Sequence, residues 1–236
     1  MSRGAAGPSR SVTPTAGLRY VALGDSYTIG TATASERDRW PNQLVERLAG
    51  TPAALRLVTN LGVNGFTSRD LIETELPQLE RLAPDFVSLL IGVNDVVQGV
   101  AEPTYAANVD TILGALVARV GSGRVVVVTT PDYTVTPEGS SYGDPVVRSA
   151  AIRRFNDILS EAAVGRGIAV VDIHDLSLRA ASDRALVADD GLHPSGAQYG
   201  LWVDRIAPAV ATLLAGWAGD RGGPAGAARV EQPGRS

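Results

Sequence analysis

The chain contains no cysteine and no lysine, and among its 236 residues only two are histidines, His174 and His193. Without cysteine there are no disulfides, no thiol nucleophile and no zinc–thiolate site. All 21 basic residues are arginine, so lysine Schiff-base and lysine-nucleophile mechanisms are excluded. Two histidines without cysteine fit a dedicated transition-metal site poorly, and neither a metal nor another cofactor is expected. No apolar run approaches the roughly 18 residues of a membrane span. The stretch 1–16, rich in Ser, Gly, Pro and Ala, holds no apolar segment of signal-peptide length, which leads to the expectation of a cytoplasmic protein. An excess of positive charge is missing too: the net charge is −4, so nothing favours nucleic acid or an anionic membrane surface as partner. Oligomeric state leaves no mark on the sequence.

What is present reads as a globular domain, 44% hydrophobic and 19% charged, with the length for one full core. Tails rich in Gly, Pro, Ala and Arg or Ser bound it. Residues 1–16 and 219–236 are expected to be disordered, and 17–218 to form one domain. Within it, apolar β-branched runs at 19–23, 56–61, 86–91, 125–130 and 168–173 predict strands. Several are apolar on consecutive residues, as strands covered on both faces of a parallel sheet are. Helical patterns lie between them at 41–49, at 68–81 with a possible break at Pro77, at 104–120 and at 145–166. A last one begins behind Ser195 as N-cap and reaches Trp217. Strands alternating with helices predict a three-layer α/β/α sandwich with a mostly parallel five-stranded sheet. In such sheets ligands bind beyond the carboxyl ends of the strands.

Several polar residues fall at those ends. Ser26, in Gly24-Asp25-Ser26-Tyr27, follows the first predicted strand. A serine hydroxyl is a weak nucleophile without a base, and any imidazole base must be His174 or His193. Asp190-Gly191-Leu192-His193-Pro194 sets a carboxylate three residues before an imidazole, close enough to fix its tautomer. Asp189 competes for that role, and the three-residue spacing favours Asp190. Donors for an oxyanion are available at Asn60-Leu61-Gly62-Val63-Asn64-Gly65, where either Gly62 or Gly65 allows close backbone approach, and at the Asn94 side-chain amide.

These four blocks, in this order, resemble the SGNH hydrolase superfamily, the GDSL esterases and lipases. The resemblance runs from about Tyr20 to Trp217, with Tyr27 where the family's name has leucine. It implies a flavodoxin-like fold and places Ser26 as nucleophile, His193 as base and Asp190 as its orienting partner. It further implies that Ser26, Gly65 and Asn94 form the oxyanion hole, since the family's donor glycine stands five residues beyond the asparagine.

Other features invite rival readings. Gly139-Ser140-Ser141-Tyr142-Gly143 matches a nucleophile-elbow pattern, but that pattern needs a strand directly before it and a helix directly after. Here residues 131–138 intervene, so 131–144 reads as a surface loop bordering the site. His174 reads as a hydrogen-bonded structural histidine, and Asp25 and Asp95 as turn caps. Val96, Val97 and Val100 either line an acyl pocket or pack the base of their loop. Trp40 either borders the cleft or staples the helix at Pro41. The expected activity is hydrolysis of a small or medium carboxylic ester, or thioester, through an acyl-enzyme on Ser26. The alternatives are acyl transfer from the same intermediate and, from another class, a non-catalytic binding module.

Overall fold

The computed structural model describes residues 17–220. Each of the five apolar runs forms a strand: β1 (Leu18–Gly24), β2 (Leu55–Asn60), β3 (Phe86–Leu90), β4 (Val125–Val128) and β5 (Ala169–Val171). Every pairing is parallel, in the order β2-β1-β3-β4-β5, the flavodoxin-like order. All of β3 and β4 is buried, which explains why these strands show no polar alternation.

Among the described residues nine helices flank the sheet: α1 (Ser26–Ile29), α2 (Trp40–Leu48), α3 (Ser68–Thr74), α4 (Gln78–Leu82), α5 (Val93–Val97), α6 (Glu102–Val120), α7 (Pro145–Val164), α8 (His174–Ser177) and α9 (Gly196–Asp220). The helices α2 and α9 pack together, while α3, α6 and α7 form a second group. The outcome is the expected three-layer α/β/α sandwich.

Two departures from the sequence reading have local causes. The pattern over 68–81 forms two helices, because Pro77 cannot continue the first and instead leads into α4. The fourth strand stops at Val128 rather than at Thr130. The Asn156 side chain takes over there, accepting from Thr130 N–H and donating to its carbonyl, both at 2.8 Å. The predicted tails lie outside the described residues, except that α9 continues to Asp220. Trp40 is fully buried in the core and does not border the cleft. Among the described residues no helix is long and apolar enough to cross a membrane.

In this strand order the chain leaves β1 in one direction to form β2, then crosses back to form β3 on the other side. The carboxyl ends of β1 and β3 therefore flank the topological switch point, where a crevice opens.

Candidate active site

Ser26 comes immediately after that edge of β1. The strand ends at Gly24, with φ of +150°, and a Cβ there would lie 2.1 Å from the Leu90 carbonyl and 2.3 Å from Thr28 Oγ1. Only glycine lets β1 run this close to the end of β3. Asp25 then caps α1, its Oδ1 accepting from Tyr27 N–H at 3.0 Å, and Gly30 closes the turn with φ of +74°. Sequence reading expected a simple turn here; the cap and the closing glycine make it one turn of helix, with Ser26 as its first residue.

The 188–194 loop brings His193 to the same crevice. Ala188 N–H donates to the His193 carbonyl at 2.8 Å, and Gly191, with φ of +75°, allows the reversal between them. Both Asp190 oxygens are used: Oδ1 accepts from the N–H groups of Leu192 (3.0 Å) and His193 (2.9 Å). Oδ2 lies 2.5 Å from His193 Nδ1. A carboxylate at Nδ1 keeps the proton there and leaves Nε2 as the basic nitrogen. Burial pulls the Asp190 carboxyl upward, but the hydrogen bonds from His193 and the two backbone N–H groups outweigh it and hold it below the ordinary value. Asp189 is exposed and makes no hydrogen bond to the imidazole. The ring of Tyr27 packs on the imidazole, centroids 5.6 Å apart.

The 60–66 loop is stapled to α1. Asn60 donates to the Thr28 carbonyl (2.7 Å) and accepts from Gly62 N–H (3.0 Å), and Val63 N–H donates to the Gly24 carbonyl (3.2 Å). Gly62 is thus packed and its N–H used; a Cβ there would come within 2.7 Å of Ile29 N. Gly65, with φ of +81°, has open space beside it, and its N–H makes no hydrogen bond among the described residues. Asn94 stands in the first turn of α5, where one amide N–H donates to the Phe66 carbonyl at 2.9 Å. Its neighbour Asp95 is buried and ties α5 to α3, accepting from Ser68 N–H (2.8 Å) and hydroxyl (2.5 Å).

Ser26, Gly65, Asn94 and His193 border a single cavity of about 270 Å³. Apolar side chains complete its wall, among them Val93, Val97 and Leu192. Of the three valines weighed from sequence, only Val97 reaches it; Val96 and Val100 pack with the core. Tyr133 and Tyr142 also line it and were missed as individual residues. They belong to the 131–144 loop, where no periodicity distinguishes an inward tyrosine from an outward one. In that loop Ser141 Oγ donates to the Glu138 carboxylate at 3.2 Å, and Ser141 does not border the cavity.

The sequence pattern of the GDSL-like Lipase/Acylhydrolase family matches residues 22–201. The chain belongs to this family. It is accordingly an enzyme, a hydrolase of the GDSL type. No curated protein matches it in sequence. Among solved structures it is similar to an alpha/beta hydrolase enzyme from the metagenome of Lake Arreo, Spain (24% identity, TM-score 0.66, covering 84% of this chain and 97% of that one). It is also similar to a single-residue variant of an acetyl xylan esterase from Geobacillus stearothermophilus (21%, TM-score 0.65, covering 83% and 95%). A third is a lipase/acylhydrolase from Enterococcus faecalis (20%, TM-score 0.66, covering 83% and 96%). At these identities the structural likeness carries the fold.

This GDSL-type hydrolase also buries carboxyl groups, two of them next in sequence to Ser26 and Asn94. Burial pushes Asp25 up to about 8 and Glu75, whose Oε2 accepts from Gly24 N–H at 3.0 Å, up to about 9. Asp95 is raised as well, again mainly by burial. The sequence reading of Asp25 and Asp95 as local hydrogen-bonding groups describes their contacts; Glu75 was missed, because nothing in a helical stretch marks one glutamate as buried. His174 stands apart from the cavity. Its backbone N–H donates to Asp172 Oδ1 (2.9 Å), and its Nε2 faces Asp132 at 3.6 Å, outside hydrogen-bond reach. Among the described residues no group of three or more His, Asp or Glu side chains is placed to hold a metal ion.

Proposed function

We propose that this GDSL-type hydrolase cleaves carboxylic esters or thioesters through a covalent acyl-enzyme on Ser26. The observation that carries the reading is the convergence of Ser26, Gly65, Asn94 and His193 on one cavity, with Asp190 bound to the far side of the imidazole. His193 Nε2 takes the Ser26 proton as Oγ attacks the substrate carbonyl, and Asp190 stabilises the imidazolium. The oxyanion is held by the N–H groups of Ser26 and Gly65 and by the second amide N–H of Asn94, the first being fixed on Phe66. The imidazolium then protonates the leaving alcohol or thiol. Water, activated by the same base, attacks the acyl-enzyme and frees the acid. The chemistry uses no cofactor.

Asp25 supports this assignment. Burial raises its carboxyl to about 8, which disfavours a negative charge on the residue next to Ser26. The modest cavity suits a small or medium acyl group.

Ser26→Ala and His193→Ala should each lose at least about a thousandfold in kcat on an aryl ester while keeping the wild-type circular dichroism spectrum. A fluorophosphonate should label wild type and not Ser26→Ala. Wild-type turnover by either variant, or failure of the probe to label folded protein, would overturn the assignment and favour a binding role.

A further inference from the structure

Glu75 is a fully buried acid that takes no part in the chemistry proposed above, and burial pushes its carboxyl up to about 9. Holding a carboxyl group in an apolar interior is costly unless its hydrogen bonds offset the loss of water. Its Oε1 has no partner among the described residues, so the side chain serves one contact. That contact is the Gly24 N–H, which donates to Oε2 at 3.0 Å.

The position of Gly24 explains why an acceptor is needed there. β1 pairs with β2 as far as Ala22 and Asn60, and Leu61 N–H still donates to the Ala22 carbonyl at 2.8 Å. β2 ends at Asn60, and Glu75 supplies the acceptor for Gly24 from the C-terminal end of α3. The Gly24 carbonyl accepts from Val63 N–H at 3.2 Å, in the loop that leads to Gly65. Both backbone polar groups of Gly24 are therefore held, and Ser26 stands two residues further on.

The helix that carries Glu75 is itself fixed at both ends. Its first residue, Ser68, donates to Asp95, the neighbour of Asn94, through its N–H (2.8 Å) and hydroxyl (2.5 Å). At the other end Glu75 is the C-cap, its own N–H donating to the Leu71 carbonyl at 2.9 Å. One short helix thus joins the segment bearing Asn94 to the residue that leads into Ser26.

We propose that Glu75 is a positioning residue: by holding the Gly24 N–H it sets the turn bearing Ser26 against Gly65 and Asn94. This rests on the Ser26 reading above. Glu75 does not line the cavity, so its loss leaves the substrate-binding surface in place. What it shifts is the nucleophile, and a misplacement of about 1 Å costs about 10²-fold in rate.

Steady-state kinetics on an aryl ester test this, with circular dichroism on each variant. Glu75→Gln keeps an uncharged carbonyl oxygen for Gly24 and should hold kcat within about threefold of wild type. Glu75→Met fills similar space without an acceptor. It should lower kcat by about tenfold to a hundredfold and leave KM within about threefold. Wild-type kcat in Glu75→Met, or a loss confined to KM, would overturn the role. So would an equal loss of kcat in Glu75→Gln, since the acceptor would then not be what matters. Should Glu75→Met fail to fold, Glu75→Asp takes its place, because it keeps the carboxyl but withdraws it from Gly24 by one methylene. The same fall in kcat is expected, and wild-type kcat would again overturn the role. A wild type that turns over no ester and is unlabelled by fluorophosphonate would instead bring down the serine-hydrolase reading, and the positioning role with it.

Discussion

Asn94 splits its amide between two tasks. One N–H is spent on the Phe66 carbonyl, which holds the amide at the cavity wall; on the proposed chemistry the other serves the oxyanion. Donors fixed in advance need no reorganisation when charge develops, and losing one such donor costs about 10²–10³ in kcat. Asn94→Ala should therefore lower kcat by about that factor and leave KM within a few-fold, as steady-state kinetics would show. A fall in KM affinity with kcat unchanged would make Asn94 a ground-state contact. That Ser26, Gly65, Asn94 and His193 border one cavity was foreshadowed by the four sequence blocks, with the family resemblance choosing Gly65 over Gly62. The means of holding them were not: Phe66 supplies only a backbone carbonyl, and Tyr133 and Glu75 owe their burial to contacts from distant parts of the chain.

At the level of elements, α3 shows how a short helix serves the site from outside it. Thr67 and Asp70 form a capping box, with Asp70 accepting from Thr67 N–H at 2.9 Å. This fixes Ser68, which in turn holds Asp95 beside Asn94. Thr67→Ala should cost about 1 kcal/mol, read as a fall of about 2–4 °C in Tm. An unchanged Tm would show that tertiary packing alone positions α3. Long elements such as α6 and α7 and the buried β3 and β4 declared themselves by apolar pattern, because burial and pattern are the same fact there. The four-residue α1 did not. Its existence depends on the Asp25 cap and on the Gly24 approach to β3, neither of which carries periodicity.

For the molecule as a whole, the buried carboxyls set a pH dependence of stability. Asp25 moves from the ordinary 3.8 to about 8. Between those values the folded chain keeps a proton that the unfolded chain has released. The unfolded state then binds fewer protons, so stability falls as pH rises across that window and levels off above it. Glu75 behaves alike from 4.5 to about 9. Asp25→Asn and Glu75→Gln should thus leave Tm nearly unchanged near pH 4 and raise it, relative to wild type, increasingly toward pH 8 to 9. Melting curves across this range test it; a difference independent of pH would mean that these groups ionise in the folded protein as they do in the unfolded one.

The switch point has a consequence for how the enzyme comes into being. Among the described residues β1 is the first strand made, yet it lies between β2 and β3, and the serine that follows it shares a cavity with an imidazole from the loop just before α9. Nearly the whole described chain separates the two. Parallel pairing of this kind relies on contacts distant in sequence and forms late. On the proposed chemistry, a nascent chain emerging from the ribosome carries Ser26 without its base until synthesis is almost complete. On that chemistry a fragment ending before His193 lacks the base, so truncated copies would lose nearly all the esterase activity of the full chain.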